Sequence, residues 1–196
     1  AGGDDTIDGG AGDDILEFDN SAALLAAGAG SGTVDGGADS DTIKFTVADT
    51  GIVDADFTNV ANVEVLQLFG ASTAVLGTEA AAAGLATASG TSIVAGAGAT
   101  SITAANNKHF TVNAASLGDG NTLTLADSGT SNFVVTGLDG TVTASTLAGT
   151  LGVTTADATD NAVAVTTGAG ATIVNVAAGN ASDTVTLNAA ALAQNT

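Results

Sequence analysis

The sequence predicts an all-β chain: a parallel β-roll followed by a β-solenoid or β-helix, with at most one short helix near residues 78–88. Three observations carry that expectation. A nonapeptide rich in Gly and Asp recurs in register over the first 45 residues. From Thr91 onward, short apolar segments return about every eight to twelve residues, the spacing of strands in an all-β architecture. The chain also has only six Phe and no Trp, Tyr, Met or Pro. Its core must therefore be thin and aliphatic, which suits coils that stack on their neighbours.

The nonapeptide is clearest at Gly9-Gly10-Ala11-Gly12-Asp13-Asp14-Ile15-Leu16-Glu17, a full match to G-G-x-G-x-D-x-U-x. Glycines are required at the turn because positive φ is cheap only without a Cβ. The aspartate faces the turn, and the apolar eighth residue enters the core. Ala1 to Asp8 forms a preceding unit with Gly3, Asp5 and Ile7 at the diagnostic places. Gly36-Gly37-Ala38-Asp39-Ser40-Asp41-Thr42-Ile43-Lys44 starts 27 residues after Gly9 and departs only at Asp39, where glycine is expected. Between them, residues 18–26 and 27–35 carry Ala23 and Gly32 in the aspartate position, while Leu25 and Val34 keep the apolar one.

These units resemble the RTX repeats of bacterial secreted proteins, closest in texture to the surface-layer and adhesin branch. The resemblance implies that the turns bind Ca2+, and it marks Gly3, Asp5, Gly10, Gly12, Asp14, Gly37, Asp39 and Asp41 as the metal-site residues. Calcium is a hard cation that takes six to eight oxygens, so one carboxylate per turn plus converging carbonyls suits it. The resemblance further implies two nonapeptides per coil. Asp5 and Asp41 would then lie on one side of the roll and Asp14 on the other, with Ala23 and Gly32 as defective sites. Export by a type I system, without an N-terminal signal peptide, is implied as well. The beginning at Ala1, in mid-repeat and without Met, suggests a piece of a longer chain.

Charge agrees with that setting. The formal net charge is −19, from 21 acids against Lys44 and Lys108. Binding to nucleic acid is excluded, because neutralising phosphates takes clusters of Lys or Arg. Acidic lipid headgroups are disfavoured on the same ground. Residues 1–56 hold twelve Asp and Glu17 against Lys44, a net of −12. Such crowding opposes folding unless cations compensate it. Extracellular calcium modules bind at about 10⁻⁴ to 10⁻³ M, so they stay empty in the cytosol and fill outside. With no Cys, disulfides and thiolate metal sites are excluded. No apolar run reaches the roughly 18 residues of a membrane span.

The chain divides by texture into residues 1–45, the calcium-binding roll; 46–90, a connector; and 91–196, a Thr- and Ala-rich solenoid, with a β-sandwich as the alternative. In the connector, Asn62-Val63-Glu64-Val65-Leu66-Gln67-Leu68 predicts a strand over 63–69 with Asn62 and Glu64 on its solvent side. This N-V-E-x-L-x-L segment resembles one found downstream of RTX repeats in bacterial surface-layer proteins. Thr78 to Ala88, alanine-rich with Glu79 in its first turn, is the expected helix. In the last segment, Gly96-Ala97-Gly98-Ala99-Thr100 and Gly168-Ala169-Gly170-Ala171-Thr172 lie 72 residues apart, the length of four coils of eighteen.

No catalytic set emerges. His109 is the sole imidazole, heads an expected strand and reads as a surface residue; one His without Cys does not make a zinc site. The chain is therefore expected not to be an enzyme. The reading is a secreted, calcium-dependent structural protein of the bacterial cell surface, a segment of an S-layer, sheath or adhesin. It would self-associate into a lattice or filament and contact cell-surface polysaccharide through regions outside this segment. The alternative is the C-terminal export and folding module of a type I secreted protease or lipase. A third class, an ice- or crystal-binding face, is suggested by Thr122-Leu123-Thr124, Thr141-Val142-Thr143 and Thr184-Val185-Thr186. Their sequence spacings of 19 and 43 argue against a regular ladder.

Overall fold

The computed structural model describes residues 5–28, 31–86, 92–118, 120–156, 162–177 and 184–192. Every strand pairing in it is parallel, and the chain winds as a β-solenoid. A three-stranded sheet holds β1 (Thr6–Asp8), β3 (Thr33–Asp35) and β5 (Val60–Ala61). An eight-stranded sheet holds β2 (Ile15–Phe18), β4 (Thr42–Phe45), β6 (Val65–Gln67), β8 (Ile93–Val94), β10 (Phe110–Asn113), β12 (Phe133–Leu138), β14 (Leu151–Thr155) and β16 (Thr172–Asn175). A six-stranded sheet holds β7 (Thr73–Leu76), β9 (Thr100–Ala104), β11 (Thr122–Asp127), β13 (Thr141–Thr143), β15 (Ala162–Thr166) and β17 (Thr184–Asn188). The eight-stranded sheet runs unbroken from the glycine-rich repeats into the Thr-rich region. The fold is thus the expected solenoid and not the sandwich.

Strand alternation builds the core. In β9 the side chains of Thr100, Ile102 and Ala104 are buried while Ser101 and Thr103 face outward. Stacking such rungs in register lines up one apolar column through the eight-stranded sheet: Leu16, Ile43, Leu66, Ile93, Val112, Val135, Val153 and Val174. From Ile43 to Val153 these residues are essentially solvent-free. Phe110 stacks beside Phe133 with ring centroids 6.2 Å apart. Burying one such aliphatic side chain stabilises the fold by about 1.5–3 kcal/mol. A column of this kind compensates for scarce aromatics.

Coil length departs from expectation. Ile15 pairs with Thr42 and Thr6 with Thr33, so the first coil is 27 residues long and not eighteen. The extra nine residues form a third side containing α1 (Ser21–Ala27), which the sequence reading missed. Its composition explains it: Ala and Leu are good helix formers, and Asn20 caps the first turn by accepting from the Ala23 N–H at 3.1 Å. Leu24 is buried in the core. Ala23 thus belongs to a helix and is not a defective ligand position. In the next coil a 3₁₀ turn, Asp54–Phe57, takes the same side.

The expected helix is present as α2 (Thr78–Ala83), shorter than 78–88; residues 87 and 88 lie outside the described residues. Asp54 caps it from one coil away, accepting from the N–H groups of Gly77 at 2.7 Å, Ala80 at 2.9 Å and Glu79 at 3.2 Å. Later coils vary from 18 residues (Phe133 to Leu151) to 28 (Thr73 to Ser101). The two Gly-Ala-Gly-Ala-Thr copies are not repeats of one site: Thr100 opens β9 in the six-stranded sheet, whereas Thr172 opens β16 in the eight-stranded one.

Candidate metal site in the glycine turns

The turns before β2 and β4 are superimposed rungs of one structure. Gly10, Gly12 and Gly37 have φ of 96°, 109° and 108°, and Asp39 has φ of 82° in the place of Gly12. Asp39 therefore keeps the left-handed conformation that glycine would adopt freely, at a cost of about 1 kcal/mol. Its side chain is solvent-exposed. Backbone bonds tie the two turns together: Ala38 N–H to Gly10 O at 2.8 Å and Gly12 N–H to Ala38 O at 3.1 Å. The approach is so close that a Cβ on Gly37 would sit 2.0 Å from Gly10 O.

At the end of each turn a carboxylate points inward. Asp14 N–H donates to Asp41 Oδ1 at 2.8 Å, and Asp41 N–H donates to Glu64 Oε2 at 2.9 Å. Asp14, Asp41 and Glu64 thus occupy successive rungs of one column. Glu64 is half-buried, so it does not simply project into solvent from its strand as expected. Asn62 is exposed but takes φ of 54° and donates from Nδ2 to Asp35 Oδ1 at 2.8 Å. The 27-residue coil also overturns the expected sidedness. Asp14 and Asp41 share a side, while exposed Asp5 lies beside the β1–β3 ladder, where its carbonyl accepts from Thr33 N–H at 3.0 Å. Gly3 lies outside the described residues.

Among the described residues, the other oxygen of each aspartate has no hydrogen-bond partner. Asp14 Oδ2 and Asp41 Oδ2 are both buried without a hydrogen bond, and Asp41 is fully buried. Leaving a buried polar atom unsatisfied costs about 1–3 kcal/mol, and more for a charged one. Each lies in an oxygen-lined cradle that only glycine leaves open. A Cβ on Gly9 would come within 2.3 Å of Gly36 O and 3.1 Å of Asp14 Oδ2. One rung on, a Cβ on Gly36 would come within 2.0 Å of Asn62 O and 2.8 Å of Asp41 Oδ2. Carboxylate and carbonyl oxygens converging on a backbone cradle are the donor set of a hard cation. The residues present fit calcium. No three His, Cys, Asp or Glu side chains form a metal-binding group among the described residues, so much of any coordination must come from backbone carbonyls.

A second acidic cluster has another use. Asp49 Oδ2 accepts from Ser21 N–H at 2.7 Å and Oδ1 from Gly51 N–H at 2.7 Å. Burial alone would raise the Asp49 pKa, but bonds from the Ser21 side chain and N–H and from Gly51 outweigh it and hold it low. Asp56 accepts from Val53 N–H at 2.8 Å and is raised, chiefly by burial and further by the neighbouring Asp49 carboxylate. These groups latch the start of α1 to the 3₁₀ turn. His109 is exposed and its Nδ1 accepts from Asn132 N–H at 3.0 Å, a corner bond between rungs.

The fold and these turns define a parallel β-solenoid with paired carboxylate cradles. Comparison with protein-family models, curated proteins and solved structures gives no match.

Proposed function

We propose that this chain is a calcium-dependent structural segment of a bacterial cell-surface protein, with calcium driving its folding outside the cell and supporting self-association. The observation that carries this reading is the pair of buried, unpartnered oxygens Asp14 Oδ2 and Asp41 Oδ2 in equivalent cradles on successive rungs. Asp14 Oδ2 with Gly36 O, and Asp41 Oδ2 with Asn62 O, would hold the ions. Bound calcium would supply the positive charge that the net −12 of residues 1–56 calls for. The chain's own part is to bring the oxygens together. Glycine turns let the carbonyls approach, and inter-rung bonds from Asp14 N–H and Asp41 N–H orient the carboxylates.

In this reading the protein is not an enzyme, and its secretion and assembly follow from a fold completed only where calcium is abundant. Each site at ten times its dissociation constant would add about 1.4 kcal/mol by mass action. Chelation should weaken the β-type circular dichroism of the chain and disperse its assemblies, and calcium should restore both. Spectra and particle sizes indifferent to chelator would sink the proposal.

A further inference from the structure

The outward face of the six-stranded sheet differs from that of the eight-stranded one. Its side chains stack in register although the coils joining them differ in length. Thr73, Ser101, Thr124, Thr143, Thr166 and Asn188 form one column across six rungs. Beside it, Thr122, Thr141, Ala164 and Thr186 form a second. The uneven sequence spacing of the Thr-x-Thr segments, 19 and then 43 residues, therefore does not prevent a ladder. Loops absorb the difference, and β15 supplies the intervening rung with Ala164 and Thr166.

Two further observations bear on what this face recognises. In a chain with 21 acids, no described outward position of these six strands is charged. Asp127, at the end of β11, turns its carboxylate to the N–H groups of Ser131, Ala148 and Gly149 instead. By contrast, one outward column of the eight-stranded sheet runs Glu17, Lys44, Gln67, Val94, Asn113, Thr136, with no uniform chemistry. The face also holds none of the six Phe, so it lacks an aromatic platform on which a sugar ring would stack.

We infer that this face binds ice: its two in-register columns, of hydroxyl residues except at Ala164 and Asn188, present a neutral, two-dimensional array to ordered water. Rungs of a parallel sheet repeat at about 4.8 Å and alternate residues along a strand at roughly 6.6 Å, spacings of the order of the water–water repeats on an ice surface. Threonine is suited to the task because its β-branched side chain is stiff at χ1. The hydroxyls and methyls are held in place before binding, so little side-chain entropy is lost on contact. No hydroxyl of Thr73, Thr124, Thr143, Thr122 or Thr141 is committed to a protein hydrogen bond among the described residues. The inference goes beyond the calcium reading and does not rest on it.

The test is thermal hysteresis and ice-recrystallisation inhibition by the full chain in calcium-containing buffer, with circular dichroism as the control for folding. The wild-type chain should shape ice and delay its growth. Thr143→Tyr, which lifts a bulky ring out of the array, should abolish the effect, and Thr143→Val, which keeps the shape but removes one hydroxyl, should weaken it. Thr136→Tyr, on the eight-stranded face, should leave it intact. A folded wild-type chain without effect on ice overturns the inference. So does activity that survives Thr143→Tyr, or a face that instead retains crystalline polysaccharide or pairs two copies of the chain in a Thr143-dependent way.

Discussion

Replacing Asp41 by Asn separates calcium binding from ordinary packing, because its effect should depend on whether the ion is present. Asp41 is fully buried, Oδ1 accepts from Asp14 N–H at 2.8 Å, and Oδ2 has no partner. Asparagine keeps the shape and the acceptor but removes the charge. Without calcium, the wild-type carboxylate stands uncompensated; Asn leaves a neutral amide in its place, so the fold should be stabilised by about 1 kcal/mol, the excess cost of a buried charged group over a neutral one. With calcium at ten times the dissociation constant, the variant forgoes one site and so about 1.4 kcal/mol of mass-action stabilisation. For a chain of this length each kcal/mol shifts the melting temperature by about 2–4 °C. Thermal unfolding followed by circular dichroism should place D41N above wild type in chelator, and the calcium-induced rise in its melting temperature should be smaller than wild type's by about 3–6 °C. Equal calcium-induced shifts in the two proteins would refute the assignment of Asp41 as a ligand.

The other expectations concern the turns and corners. Gly37→Ala forces a Cβ to within 2.0 Å of Gly10 O at φ of 108° and should destabilise the chain by more than about 2 kcal/mol, read from urea midpoints. Asp39→Gly, at φ of 82°, should instead raise the melting temperature by a few degrees in chelator. Asp54→Ala removes the acceptor for three N–H groups at the start of α2 and should cost about 1–2 kcal/mol. Asp56, whose pKa is raised by burial, favours the fold in acid, and this contribution is lost as pH rises through its raised pKa. Asp49, held low, contributes above the ordinary carboxylate range and loses that contribution as pH falls through its lowered pKa. Asp56→Asn should therefore stabilise the protein near neutrality and lose that advantage in acid, and a pH-independent difference in melting temperature would contradict this.

The sequence made the solenoid legible because its signals are local. Alternation at Ile102 and Ala104, or at Leu123 and Leu125, marks inward faces without knowledge of neighbours. Positive φ at Gly10, Gly12 and Gly37 was likewise written in the repeat. Coil length was not legible, because counting in nines does not say how many units close a turn. Ser21–Ala27 occupied two degenerate units whose periodicity survived in Leu25 and Val34, and Leu25 lies exposed on α1. A capping Asn20 ahead of an Ala–Leu run was the available signal. Sequence alone places Glu64 on the solvent side of its strand because its role as acceptor for Asp41 N–H spans 23 residues. Sequence spacing sets the Thr ladder aside for the same reason: register between rungs is set in space, not by even spacing along the chain.

Equilibrium calcium binding to the wild-type chain and to the D14N/D41N double variant, both verified as folded, tests the central claim most directly. The wild type should bind calcium saturably, with dissociation constants of about 10⁻⁴ to 10⁻³ M, and the double variant should lose the sites of the two glycine cradles. Identical stoichiometry and affinity in the two proteins would contradict it.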